Sequence, residues 1–182
     1  MKRLAVLCVL ALPLFGLTRP VSRGDRIGVL RSSEQAIAKA IESDLRDALH
    51  DRGFHAFDAR ATFDDMQRGG APAADYYVEV VSSDAAGHAV GGVGTAVGAV
   101  AVEAGVVVSH VAAELRVYDG RTLAEINRFA LRQKSTAVVP TGLGVGSRPF
   151  WAFVTLPFVR YGQYRSAARE IARQAADLIA GR

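Results

Sequence analysis

Residues 106–118 read as a strand whose two faces have opposite character. Val111, Ala113, Leu115 and Val117 fall on one face, and His110, Glu114, Arg116 and Tyr118 on the other. Asp119-Gly120 follows as a tight-turn signal, and residues 122–136 return as an antiparallel partner. In that partner Ile126 is apolar, whereas Asn127, Arg128, Arg132 and Gln133 predict a solvated surface. A half-buried antiparallel hairpin needs a layer on its apolar side, so the remaining elements must supply one.

They do so in a recognisable order. Residues 26–30 predict a short strand. Ser32 stands three before Gln35, the spacing of a capping box, and Ile37, Ile41, Leu45 and Leu49 follow at four-residue intervals with Ala38 and Ala48 in the same stripe. Gly53 is placed to end this helix, and residues 53–57 predict a second strand. Residues 62–65 predict the start of a short helix, closed by Gly69-Gly70, with Asp64 and Asp65 as first-turn charge. Residues 75–83 alternate as a strand, with Tyr76, Val78 and Val80 opposed to Tyr77, Glu79 and Val81. A final helix over about 166–180 carries Ala168, Ile171, Ala172, Ala175 and Ile179. The expected fold is α+β: a βαβ unit followed by an antiparallel meander in one mixed sheet, with helices packed on one face.

Residues 1–20 stand outside this fold. Lys2 and Arg3 precede an apolar run over residues 4–17, shorter than the roughly 20 residues that span a bilayer comfortably. The pattern is that of a secretory signal peptide of bacterial type, or a retained signal anchor, because no A-x-A triplet follows the run. Cys8 is the sole cysteine and lies within the run, as a small apolar residue rather than a lipid-attachment site. The body, residues 21–182, is expected to be a single domain without thiol chemistry. The net charge is +4, of which Lys2 and Arg3 belong to the leader, leaving about +2. Basic residues are scattered rather than clustered with aromatics, so nucleic acid is not an expected partner.

The element order is similar to that of the TolB-type amino-terminal domain and the envelope lipoproteins that share it, including the outer-membrane activators of penicillin-binding proteins and the curli-secretion pore subunit. The resemblance is carried by Ile27-Gly28-Val29-Leu30, by Ala74-Asp75-Tyr76-Tyr77-Val78-Glu79-Val80, and by Leu115-Arg116-Val117-Tyr118-Asp119-Gly120-Arg121-Thr122. It covers residues 25–182 apart from two insertions, and the chain departs from those lipoproteins in lacking a lipobox. It implies an exported protein of the periplasm or the periplasmic face of the outer membrane.

The two insertions, residues 85–105 and 140–162, are apolar and Gly-rich. Were strand 75–83 paired antiparallel with strand 106–118, both would leave the sheet at one end and form one apolar patch, a mark of protein or membrane contact. Three readings compete for them. Gly94 and Gly98 have the spacing of close helix packing, but Glu103 is costly in lipid. Barrel hairpins are opposed by Pro149 and Pro157. In the third reading, Val and Ala extend the neighbouring strands while the glycines make loops. The expected contact residues are Gly94, Gly98, Phe150, Trp151, Phe153, Phe158 and Tyr161, large rigid aromatics being common interface anchors.

Chemistry is not expected. Gly92-x-Gly94-x-x-x-Gly98 is neither a dinucleotide fingerprint nor a phosphate loop. His50, His55, His88 and His110 lack metal-site spacing, and no serine sits on a nucleophile elbow. No catalytic, metal or cofactor-binding residue is assigned. The expected function is a non-enzymatic binding or assembly module that contacts a membrane surface, an envelope partner or its own copies. The alternatives are an oligomeric membrane-embedded pore subunit and a small hydrolase built on His110 and Glu114.

Overall fold

The computed structural model describes residues 20–32, 36–97, 100–145 and 152–181. The elements are β1 (Arg26–Val29), α1 (Ala36–Asp51), β2 (His55–Asp58), α2 (Phe63–Gln67), β3 (Tyr76–Val97), β4 (Val100–Asp119), β5 (Glu125–Val145) and α3 (Ala152–Ile179). They build one mixed five-stranded sheet in the order β2-β1-β3-β4-β5. β1 is parallel to both β2 and β3, and the β3–β4 and β4–β5 pairs are antiparallel. The α+β class, the βαβ unit and the meander are therefore those expected.

The stripe of α1 explains its packing. Ala38, Ile41, Leu45, Ala48 and Leu49 are buried against the sheet together with Ala168, Ile171, Ala172 and Ala175 of α3. Gly53, at φ +88°, ends α1. Its N–H donates to the His50 carbonyl, and that of Phe54 to the Leu49 carbonyl. Both Phe54 and Leu49 are in the core, completing a Schellman cap. Arg52 ties this end of α1 to α3, donating to the Asp177 carboxylate at 2.8 Å and the Arg173 carbonyl at 2.9 Å. The proposed Ser32–Gln35 cap includes residues outside those described. Ser32 itself donates its N–H and hydroxyl to the Glu42 carboxylate.

The short α2 stands over the other face. Met66 packs with Leu30, Tyr77 and Tyr118, and the Phe63 and Tyr118 ring centroids are 4.8 Å apart. Thr62 and Asp65 form a reciprocal capping box at its start. Gly28 of β1 admits this layer, since a Cβ there would lie 2.9 Å from the Tyr77 ring.

The main departure from the sequence reading is length. β3, β4 and β5 run past the body as a three-stranded arm. Residues 85–97, 100–105 and 140–145 continue these strands instead of forming loops between shorter ones. α3 begins at Ala152, well before residue 166, although Pro157 and Gly162 lie in its first half. Pro157 is the sixth residue of α3, beyond the first turn, so its missing N–H leaves the Phe153 carbonyl without its i+4 donor, a local cost that the rest of the helix carries.

Candidate functional site

The arm begins where β1 stops. β1 pairs with β3 only as far as Val78, and beyond it β3 has no described strand on that side. The β3–β4 ladder continues to Val97↔Val100, and Val100 pairs in turn with Val145. Both apolar segments thus reach the same end of the sheet, about 60 Å from the Asp119 turn at a strand rise of about 3.3 Å per residue.

One face of the arm is covered by α3. Contact is fastened by a buried polar node: Ser109 Oγ donates to Gln163 Oε1 at 2.8 Å, and Gln163 Nε2 donates to the Val107 carbonyl at 3.1 Å. Neither residue was singled out from the sequence, because an isolated Ser in a valine strand and a Gln on a helix carry no local signal of pairing. Gly87 lies beneath Tyr164, whose hydroxyl would be 2.8 Å from a Cβ at that position. A bulge at Val81 moves the core-facing set of β3 from Tyr76, Val78 and Val80 to Ala85.

The opposite face is polar near the body. Arg116 and Arg128 are directly paired across β4 and β5, a repulsive arrangement. Glu114 and Glu125 offset it. Arg128 Nε contacts Glu125 at 2.8 Å and its Nη1 contacts Glu114 at 3.4 Å, while Arg116 Nη2 contacts Glu114 at 3.2 Å. The hydrogen bond from Arg128 holds the Glu125 carboxyl below its ordinary value. Burial, and then the hydrogen bond donated to Glu79 at 2.9 Å, push the Tyr118 phenol up to about 12. The register sets Arg116 opposite Glu79. Glu114 is engaged by two arginines, and His110 lies four residues away along β4, opposite Lys134. This is not the geometry of an acid–base pair.

Of the expected contact residues, Gly94 pairs with Glu103 in the distal ladder. Phe153 and Phe158 lie in the first turns of α3, with side chains outside those described, and Tyr161 is 65% exposed. Gly98, Phe150 and Trp151 lie outside the described residues. Sequence reasoning missed a cleft of about 590 Å³ at the carboxyl ends of β1 and β2, lined by Arg31, Lys39, Glu42, Arg46 and Asp58. Its charges are mixed, and Arg31 lies 3.9 Å from Asp58. Among the described residues no cluster of His, Cys, Asp or Glu is placed to hold a metal, and no helix is long and apolar enough to cross a membrane.

This architecture is a fold found in bacterial lipoproteins. The chain is similar to the minor lipoprotein of Acinetobacter baumannii, with 12% identity, 86% of this chain and 91% of that one covered, and a TM-score of 0.53. A lipoprotein B from Nitrosomonas europaea matches with 14% identity over 85% of this chain and 84% of that one, at a TM-score of 0.45. No protein-family profile and no curated protein matches the sequence.

Proposed function

We propose that the protein is an exported, non-enzymatic binding or assembly module of the bacterial cell envelope that docks through the apolar end of its arm. The observation that carries this reading is the register Val97↔Val100↔Val145, which brings one residue of each arm strand, all three within the apolar segments, to the same end of the sheet. The leader pattern of residues 1–20 and the lipoprotein-like fold support the compartment. The likeness to TolB-type domains rests on the sequence motifs alone. Trp151→Ser combined with Phe153→Ser is expected to abolish recovery with envelope membranes or partners while thermal unfolding stays unchanged. The N-terminal mass is measured in the same fractions, so that a retained leader is not mistaken for the arm. Unchanged recovery, or loss of the fold, overturns the reading.

The length of the hairpin favours a second reading, a pore subunit, since roughly 9–11 residues per strand cross a bilayer. Strand direction weighs against it. In a ring of like-oriented copies, β5 would lie beside the next copy's β3, and these run the same way, whereas bacterial membrane barrels are antiparallel. Ring-shaped oligomers in detergent would support the pore, and a monodisperse monomer without detergent would exclude it.

A further inference from the structure

The sheet's free edges are guarded unequally. Natural sheets blunt an edge with short strands, charges, prolines or bulges. At one side β2 is four residues long. The open flank of β3 is broken by irregularities at Val80/Ser82 and Val90/Gly92 and carries the exposed Asp84. β5 is different. Between Asn127 and Pro140 its ladder with β4 has no register shift. Arg128, Arg132 and Lys134 guard the first part of this stretch. Residues 135–139, Ser-Thr-Ala-Val-Val, then hold no charge, glycine or proline. Such a run on an open edge is a template for another strand. Val138 is 71% exposed, the most exposed large apolar side chain among the described residues.

We propose that two copies of the chain pair antiparallel through residues 135–139 of β5, about a twofold axis at Ala137. Charge selects this arrangement. A parallel in-register pair would set Arg132 and Lys134 against their own copies. The antiparallel pair sets Lys134 opposite Pro140 of the second copy and Arg132 opposite Gly142 of the second copy, while Thr136 meets Val138 of the second copy twice by symmetry. Such an isologous contact closes at two copies.

The helix layer fits the same axis. Ala137 pairs with Val107, whose carbonyl accepts from Gln163, so the axis passes the level of Gln163 on α3. α3 lies over β4 and β5, which places two α3 helices side by side at about 10 Å, two strand widths and within helix-packing distance. At that level α3 presents Tyr161, 65% exposed, and Gly162, where a Cβ would meet nothing within 4 Å. An open glycine beside an exposed tyrosine leaves room for the neighbouring helix.

The test uses the full chain in detergent, followed by sedimentation velocity across a concentration series. The wild type is expected to form a concentration-dependent dimer. Val138→Lys, a charge at an exposed site, is expected to leave only monomer with an unchanged circular dichroism spectrum, whereas Val138→Thr keeps the dimer. In a Cys8→Ser background, mixed Thr136→Cys and Val138→Cys copies are expected to form a disulfide-linked dimer more readily than either alone. A wild type that is monomeric throughout overturns the pairing, as does a Val138→Lys dimer equal to wild type or a failure of the mixed cysteines to cross-link. The pairing does not depend on the role of the apolar end. Trp151→Ser with Phe153→Ser should leave the dimer intact, so the two readings fail separately.

Discussion

The body and the arm share one sheet but are held by different means. In the body β1 is sandwiched: Ile27 and Val29 face the α1–α3 core, and Leu30 at its end joins Met66, Tyr77 and Tyr118 on the other side. Large side chains fill both layers. On the arm α3 meets β4 through the buried polar Ser109–Gln163 node, whereas its apolar stripe of Ala168, Ile171, Ala172 and Ala175 packs with α1 over the body. With a polar node in place of large apolar side chains, the arm is expected to draw less stabilisation per residue from apolar burial than the body. Its distal part is expected to open more readily than the body.

Substitutions test that contrast in descending order of effect. Leu45→Ala, at a fully buried body position, is expected to cost about 2–5 kcal/mol in denaturant unfolding. Gly120→Ala should cost about 1–3 kcal/mol or more, because a Cβ there would lie 2.0 Å from the Ala74 carbonyl oxygen. Ser109→Ala leaves Gln163 without its donor and should cost about 1–3 kcal/mol. If the arm is the weaker region, hydrogen exchange should rise in β4 and β5 near Ser109 and stay unchanged in β1. An equal rise in β1 would mean that body and arm open as one unit. Gly162→Ala should stabilise α3 by about 0.5–1 kcal/mol, since the site is open and helical.

The smallest effect is electrostatic and belongs to the body. Thr62, through its backbone N–H and then its hydroxyl, lowers the Asp65 carboxyl from 3.8 to about 2. A carboxyl lowered on folding contributes stability that is complete above its unfolded value and is lost as pH falls through about 2. Asp65→Asn should therefore lower the neutral plateau and leave the most acid end of the stability profile nearly unchanged, which flattens the acid limb. An unchanged acid limb would deny the capping box any part in acid stability.

How much was legible depended on whether the signal was local. The four-residue stripe of α1, the Gly53 cap, the Thr62 helix start and the Asp119-Gly120 turn each declare themselves within a few residues. In the turn, Asp119 accepts from the N–H groups of Arg121 at 2.9 Å and Thr122 at 2.8 Å, and the latter bond leads in lowering its carboxyl. The extent of the arm was not declared in this way. Valine, alanine and glycine over residues 85–105 suit strand, loop and close-packed helix alike, and the ladder with β4 and β5 settles the choice. Pro157 and Gly162 hid the first half of α3, because both disfavour a helix interior in isolation.

Alternation, stripe spacing and turn chemistry are properties of short windows of chain, so the α+β class, the order of elements and their core-facing residues followed from residue order. Which strand lay beside which, where each bulge fell, and which carboxylate met which arginine did not. Those outcomes depend on register between segments far apart in the chain. A shift of one residue exchanges the faces of a strand, and no short window records the pairing that prevents it.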